Sequence, residues 1–451
     1  MSLDAKQISA VAKLDRNAGG VIWYKVGEGK TRIVLHHFAT VAKTKRLGNN
    51  IFIVVCRRAA FGDWRREITK VGMEWNACNI ETYTGRLSAT PLLLLVSHGM
   101  LAKLTDCIIE MSPTIAAIAY DEGYMFKSAK SALCKSAHRI SCHIEDATIF
   151  SGSIMTASNV EDIWGQVFAI NRHHVLAQTL TQFRSAYMNS YKIGVRQVFT
   201  NRKGGYARIV KQIAPFTATH FPLPTRVQSN IVIEIPATKE QLVIFARLRE
   251  EYFYENTTTG VKLELKNAPA LIAKCVAVSD GHLSDGSNHM RVRSSKYVHM
   301  LEAVSERILK GERVVVWCAL RRTASRVLQL LQKNKYKTYL MVGGTKFDLA
   351  GWERDGQVVV ATEDSGVSVN FLKDCALAIM FSINYKWLAL QQAKGRTDRK
   401  DSKHSTCYYL YLQVKGSMDS AIYRTVHRSK SSEQQLIKDL NTWIHHGSTN
   451  L

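Results

Sequence analysis

Short, continuous apolar runs recur along the chain between longer stretches with helical periodicity. In the first half these runs cover residues 21–24, 51–55, 92–96, 115–120 and 148–150, and in the second half residues 313–318, 338–342, 358–361, 377–381 and 407–412. Continuous rather than alternating apolarity is typical of strands buried on both faces of a parallel sheet. Because the runs alternate with helical stretches, we predict an α/β doubly wound unit in each half.

The composition changes between the two halves. A chain of 451 residues is long for one core, and residues 221–224 hold two of its seven prolines. The most loop-like segment is 279–288. We expect a first lobe at residues 1–228 with a basic, helical protrusion at about 171–217, a linker and helical region at 229–290, and a second lobe at 291–451 that ends in a bracing helix.

A glycine-spaced turn joins the first apolar run to the first helical stretch after it. The turn reads Gly27-Glu28-Gly29-Lys30-Thr31. Strand, turn and helix in this order let backbone N–H groups cradle phosphates. Lys30 would then reach the β- and γ-phosphates, and the Thr31 hydroxyl would ligate magnesium. The short string alone also allows a chance Gly-x-Gly before a helix.

Two acids follow the apolar run 115–120. Asp121 would hold magnesium, and Glu122 would polarise the attacking water. Asp-Glu at a strand end is usually a solvated turn, but its pairing with Lys30-Thr31 favours the catalytic interpretation. Ser151-Gly152-Ser153 ends the next run, where it is either a Ser/Gly turn or a pair of hydroxyls near the carboxylates.

A second cationic group lies near residue 396. The segment 392–399 reads Gln-x-x-Gly-Arg-x-x-Arg, with Arg396 and Arg399 three positions apart. On a helix this spacing places both on one face. Such guanidinium groups could neutralise a transferring γ-phosphoryl group, so that ATP is bonded from both sides of a cleft. A basic helix face against nucleic-acid phosphates is the alternative.

The charge of the chain points to a polyanionic partner. Lys and Arg exceed Asp and Glu by 24, and nucleic acid is the favoured partner because no basic amphipathic helix or membrane span is evident. Nine scattered cysteines without a Cys-x-x-Cys pair argue against a structural metal and against disulfides. We therefore expect an intracellular protein in a reducing compartment, such as the cytoplasm of a bacterial or phage-infected cell.

The order of these motifs resembles that of superfamily-2 helicases and translocases, in particular the Swi/Snf-type branch. The likeness covers roughly residues 5 to 425, and compact phage and bacterial branch-migration and fork-remodelling members are the most similar subgroup. The matching segments are motif Ia at 54–67, motif II at 121–122 with 127–128, motif III at 151–153, motif IV at 315–318, motif V at 362–370 and motif VI at 392–399. Gly123-Tyr124 stand where the family has Ala-His.

The resemblance implies two RecA-like lobes in tandem, with ATP and Mg²⁺ as cofactors. It implies that the catalytic residues are Lys30, Asp121, Glu122, Arg396 and Arg399 and that magnesium is held by Thr31 and Asp121. It assigns the nucleotide to Gln7, Gly27, Glu28, Gly29, Lys30, Thr31, Arg32, Gly366 and Gln392, with Gln7 at the adenine-reading position. It assigns nucleic-acid contacts to Arg57, Arg58, Lys127, Ser151, Arg321 and Ser365.

The expected function is that of an ATP-dependent DNA helicase or translocase. It would act on duplex, forked or junction DNA with little sequence preference, in branch migration or in the remodelling of forks and recombination intermediates. An RNA helicase of the same superfamily is one alternative. A nucleic-acid-binding scaffold with a weakened ATPase is the other, suggested by Gly123-Tyr124.

Overall fold

The computed structural model describes residues 3–44, 51–73, 75–82, 91–154, 159–193, 196–221, 227–266, 268–343, 347–363, 371–384, 387–398 and 402–427. The described residues fall into two compact units, the first up to residue 221 and the second from residue 227. Within the described ranges, no helix is long and apolar enough to cross a membrane.

The first unit alternates helices and strands as the sequence predicts. Its helices are α1 (Ala5–Asn17), α2 (Lys30–Thr44), α3 (Phe61–Lys70), α4 (His98–Glu110), α5 (Ala132–Ser141), α6 (Glu161–Ala169), α7 (Leu180–Tyr187) and α8 (Gly205–Ile213). Its strands are β1 (Gly19–Tyr24), β2 (Ile51–Cys56), β3 (Asn76–Asn79), β4 (Leu92–Ser97), β5 (Ile115–Tyr120), β6 (Ala147–Ser151), β7 (Met188–Ile193), β8 (Arg196–Asn201) and β9 (Thr217–His220).

The second unit has the same alternation. Its helices are α9 (Lys239–Glu251), α10 (Ala268–Ser279), α11 (Lys296–Leu309), α12 (Arg321–Lys333), α13 (Leu349–Asp355) and α14 (Trp387–Thr397), and residues 419–427 are also helical. Its strands are β10 (Val227–Ile235), β11 (Phe253–Asn256), β12 (Val261–Glu264), β13 (His282–Ser284), β14 (His289–Arg291), β15 (Arg313–Cys318), β16 (Thr338–Met341), β17 (Val358–Thr362), β18 (Cys375–Met380) and β19 (Thr406–Val414).

The first unit is built on a parallel sheet that is buried on both faces. Its strand order is β3-β4-β2-β5-β6-β1-β9. Successive side chains of β1 enter opposite cores: Val21 and Trp23 belong to the core with α4, α5 and α6, whereas Ile22 and Tyr24 belong to the core with α2 and α3. Helices therefore cover both faces, as continuous apolarity predicts.

The second unit repeats this arrangement. Its sheet has the order β10-β19-β18-β15-β17-β16, and its strand pairs are parallel. Val315 and Trp317 of β15 pack in the core with α13 and α14, and Val314 and Val316 pack with α11 and α12. The predicted α/β class with two parallel-sheet lobes is thus confirmed.

The region expected to be a linker does not stand apart from the second unit. β10 pairs with β19 from Val227↔Thr406 to Ile235↔Val414 and forms the edge of the second sheet. The β11–β12 and β13–β14 hairpins pack with α9 and α10 in a core that includes Val414 of β19. The division of the described chain into two units lies before β10.

The predicted protrusion at 171–217 is only partly helical. Between α7 and α8, the antiparallel hairpin β7–β8 pairs Met188 with Asn201 and Tyr191 with Val198. These strands are short and largely polar, so they lack the apolar run by which a buried strand is recognised. The expectation of no strand in this region was wrong. The predicted bracing helix near residues 436–444 lies outside the described residues.

Candidate nucleotide site

The glycine-spaced turn lies where the sequence predicts, between β1 and α2. Gly27 and Gly29 have φ values of +91° and +78°, a left-handed region that favours glycine. Lys30 is the first residue of α2, and its Nζ donates to the carbonyl oxygens of Tyr24 at 3.0 Å and Lys25 at 3.3 Å. The ammonium group is therefore held over the turn, beside backbone N–H groups at a helix N-terminus.

The two acids occupy the end of β5. The N–H of Asp121 donates to Val55 O at 2.8 Å, and the N–H of Glu122 donates to Asp121 Oδ1 at 2.7 Å. Burial and the adjacent Glu122 raise the pKa of Asp121 to about 7, while the charges of Lys30 and Arg57 oppose this shift. Because Lys30 acts electrostatically on Asp121, the turn and the acids form one charged site.

The end of β6 lies against the turn. A Cβ at Gly152 would stand 2.7 Å from Val26 Cγ2 and 3.6 Å from Lys30 Nζ, so only glycine lets the two segments approach this closely. Ser151 is buried, and its Oγ accepts from the N–H of Ser153 at 3.2 Å. Direct contact of Ser151 with nucleic acid would require this arrangement to open.

Gln7 of α1 contacts the turn. Its Nε2 donates to Glu28 O at 3.2 Å, and its Oε1 accepts from Asp4 N at 3.1 Å within a capping box. A side chain at Gly29 would collide with this amide. The Glu28 carboxylate lies 3.5 Å from Nε2 of His220, the last residue of β9. The sequence did not reveal His220, because no local pattern links it to the turn.

Arg32 and Thr31 begin α2 beside Lys30. Arg32 Nε lies 2.5 Å from Glu67 Oε1 and so joins α2 to α3. Thr31 is partly exposed. The Thr31 hydroxyl and the Asp121 carboxylate are hard oxygen donors, which fit Mg²⁺ better than softer metals. Within the described part of the chain, no group of three or more His, Cys, Asp and Glu side chains is placed to hold a metal ion.

Gln166 of α6 is a second residue that sequence patterns did not reveal. Its buried Oε1 accepts from Trp23 Nε1 at 3.0 Å, and its Nε2 donates to Ile154 O at 2.6 Å. A Cβ at Gly123 would lie only 3.0 Å from this Oε1. One buried amide thus contacts β1, the turn after Glu122 and the segment after β6.

The second unit holds the remaining predicted nucleotide residues that the structure describes. Gln392 and Arg396 lie on α14 and are 7% and 6% exposed. Lys394 on the same helix donates to Asn230 Oδ1 at 2.8 Å, which fastens α14 to β10. Arg399, Gly366 and Ser365 lie outside the described residues.

The predicted nucleic-acid residues differ in exposure. Arg58, Lys127 and Arg321 are exposed, and Arg321 begins α12. Arg57 is partly buried, and its Nη2 donates to Tyr124 Oη at 2.5 Å. Three of these arginine and lysine side chains therefore lie on the protein surface, whereas Arg57 contacts Tyr124 beside the acids.

His37 ties together three elements of the site. Its Nδ1 lies 2.6 Å from Asp15 Oδ1 on α1, and its Nε2 lies 2.9 Å from Asp146 Oδ1, just before β6. Burial opposes the charged imidazolium, but the two carboxylates outweigh it and raise the pKa of His37 to about 9. Arg172 also acts on Asp146. This cluster of His37, Asp15 and Asp146, here called the His37 clamp, fixes α2, which carries Lys30, to α1, which carries Gln7.

This clamp predicts a pH-dependent stability. A folded-state pKa near 9 against about 6.5 in the unfolded chain corresponds to about 3 kcal/mol. This stabilisation is complete below about pH 6.5 and is lost as the pH rises through about 9. The free energy of unfolding of the wild type, measured with denaturant, should therefore fall over this pH range, and it should fall by more than that of His37→Gln. Parallel pH profiles for the two proteins would contradict the assignment.

The first unit combines its fold and its site as follows. Each unit is an α/β lobe built on a parallel sheet, and the first carries a glycine turn after β1, a lysine at a helix N-terminus and an acid pair after β5. No protein family profile and no curated protein matches the sequence. Among solved structures, the chain is similar to the Sulfolobus solfataricus SWI2/SNF2 ATPase core in complex with dsDNA. The TM-score is 0.45 and the identity 16%, covering 100% of this chain and 96% of the other.

Proposed function

We propose that this protein is a nucleic-acid-dependent ATPase that acts as a DNA helicase or translocase on duplex or branched DNA. One observation carries the proposal: the Lys30 ammonium, held over the glycine turn, acts on Asp121 of the acid pair, and Gly152 at the end of β6 lies against the same turn. A cation, a phosphate-binding turn and two carboxylates are the parts that phosphoryl transfer to water requires.

The side chains of the first unit take separate roles in hydrolysis. Lys30 and the turn N–H groups bind the phosphates, and Glu122 accepts a hydrogen bond from the attacking water. Thr31 and Asp121 would hold Mg²⁺, which neutralises phosphate charge when bound. Gln7, which already contacts the turn, is proposed to bind the adenine.

The second unit is proposed to supply further cationic groups for the γ-phosphoryl group. Arg396, with Arg399, would neutralise charge on the γ-phosphoryl group, and Gln392 would contact the nucleotide. Gly366 is proposed as a further nucleotide contact. Removal of any of these groups should leave phosphate binding by Lys30 intact, because that binding depends on the first unit.

The nucleic-acid partner is inferred from charge. The excess of 24 basic residues favours a polyanion, and exposed Arg58, Lys127 and Arg321 provide cationic groups in both units. Phosphate contacts of this kind carry no base information, so binding should depend little on sequence. Branch migration or remodelling of forks and recombination intermediates is proposed as the task.

The test is ATP hydrolysis by the full chain with single-stranded, duplex, forked and four-way-junction DNA and with RNA, each at two salt concentrations. We expect the largest stimulation with duplex or branched DNA. Affinity should fall by about 10³–10⁵-fold between about 50 and 200 mM salt if about 6–10 phosphates are contacted.

The alternatives give different results in the same assay. Stimulation by single-stranded RNA above duplex DNA would replace the proposal with an RNA helicase. Binding of DNA without hydrolysis of ATP under any condition would leave a nucleic-acid-binding scaffold, the function suggested by Gly123-Tyr124.

A further inference from the structure

Arg57 and Tyr124 make a contact that hydrolysis itself does not require. Arg57 directly follows β2, and Tyr124 lies in a 3₁₀ turn, Gly123–Phe126, that begins one residue after Glu122. Arg57 Nη2 donates to the Tyr124 hydroxyl at 2.5 Å. The side chain that joins these segments is therefore a cation at the edge of the acid pair.

Arg57 also acts on the acid pair and its neighbour. Its charge opposes the upward shift of the Asp121 pKa. His98 begins α4, and its Nε2 lies 3.0 Å from Asp121 O. Burial and the charge of Arg57 together lower the pKa of His98 to about 4. His98 is thus neutral at pH 7, and Arg57 is the cation that faces Asp121 from this side.

The hydrogen bonds of this cluster are incomplete within the described part of the chain. Arg57 Nε and His98 Nδ1 are both buried there without a hydrogen-bond partner. A guanidinium has five N–H groups and binds phosphate in a forked geometry. Arg57 is partly exposed, and its contact with Tyr124 uses only Nη2, so the guanidinium has further N–H groups with which it could bind a phosphate.

We infer that Arg57 and Tyr124 are positioning residues through which a nucleic-acid phosphate controls Glu122. Without nucleic acid, Arg57 holds the Tyr124 hydroxyl and keeps the turn after Glu122 in its resting position. When a backbone phosphate takes the Arg57 guanidinium, Tyr124 loses this hydrogen bond, and the turn that begins at Gly123 can shift. This inference rests on the proposed function and adds its regulation.

The test is Tyr124→Phe in the full chain, which removes the hydroxyl and keeps the buried ring. The rate of ATP hydrolysis is measured without DNA and with saturating duplex DNA, and duplex binding is measured separately. We expect a faster DNA-free rate and a ratio of stimulated to unstimulated rate that falls about tenfold, because one hydrogen bond to a charged group is lost. Duplex affinity should rise by up to the same factor, because the phosphate no longer competes with the Tyr124 hydroxyl for Arg57.

Tyr187→Phe is the matched control. Tyr187 is also buried, and its hydroxyl donates to Gln212 Oε1 at 2.5 Å, between α7 and α8. The variant loses the same chemical group and a similar hydrogen bond, but the stimulation ratio should stay that of the wild type. An equal fall in both variants would show a general loss of stability and would overturn the inference.

A second variant keeps the test decisive if Tyr124→Phe folds poorly. Arg57→Gln breaks the same hydrogen bond from the other side and should also lower the stimulation ratio, and the double variant should match Arg57→Gln alone. If the two substitutions lower the stimulation ratio independently and additively, the inference is overturned. It is also overturned if DNA stimulates the wild type and the stimulation ratio of Tyr124→Phe equals that of the wild type. If the wild type hydrolyses no ATP with any nucleic acid, the proposed function fails as well.

Discussion

ATP hydrolysis is expected to fall by about 10²–10⁴-fold in Glu122→Gln. The amide keeps the size of the side chain but cannot take a proton from the attacking water. Glu122 adjoins Asp121, and its own N–H donates to Asp121 Oδ1 at 2.7 Å, so the backbone of the pair should be unaffected. Binding of ATP and of DNA should persist, because neither depends on this carboxylate.

The measurement is single-turnover hydrolysis at saturating duplex DNA, with ATP and DNA affinities recorded for the same variant. Glu110→Gln provides the control, because Glu110 is exposed at the end of α4 and undergoes the same chemical change. It should hydrolyse ATP as the wild type does. Normal hydrolysis by Glu122→Gln would remove the catalytic role of the acid pair.

Lys296→Met is expected to destabilise the second unit by about 3–5 kcal/mol, the range found when one partner of a buried ion pair is removed. Lys296 is fully buried on α11, and its Nζ lies 3.2 Å from Asp280 Oδ1 and 2.9 Å from Asp419 Oδ2. Methionine would fill most of the volume but would leave two buried carboxylates without their cation.

The loss of stability should extend to α12 and to the segment after β18, because Asp280 also accepts hydrogen bonds from residues there. Its Oδ2 accepts hydrogen bonds from Thr323 of α12 at 2.8 Å and from Ser382, after β18, at 2.7 Å. Burial raises the pKa of Asp280, and the Lys296 charge opposes this shift. Without Lys296, Asp280 is therefore expected to take up a proton, which weakens these bonds.

Denaturant unfolding of the full chain measures this effect. Lys310→Met is the control. Lys310 is exposed near the C-terminal end of α11, where its Nζ lies 2.6 Å from Oε1 of the exposed Glu306. Surface pairs of this kind contribute little, so the control should unfold as the wild type does. Equal destabilisation in the two variants would contradict the importance of the buried cluster.

The strands were predictable where burial on both faces makes the sequence continuously apolar. The run 115–120 predicted β5 with its observed bounds, and 92–96 predicted β4 to within one residue. The hairpin β7–β8 was not predictable, because it is polar. The place of β10 beside β19 was not predictable either, because it depends on pairing with residues far along the chain.

The first unit's part of the site was predictable because parallel strands end at one edge of a sheet. The turn after β1 and the acids after β5 are therefore brought together by topology alone. The supporting contacts of His37, Gln166 and Arg57 were not predictable. His37 and Asp146, for example, are 109 residues apart, and no local pattern in the sequence relates them.

The central claim is that the turn from Gly27 to Lys30 binds the phosphates of ATP, and equilibrium binding of ATP to Lys30→Ala tests it most directly. Lys43→Ala removes the same charge from the exposed, opposite end of α2 and serves as the control. We predict that Lys30→Ala weakens ATP binding about 10–100-fold while the control binds as the wild type does. Equal affinity for ATP in Lys30→Ala and the wild type would contradict the account.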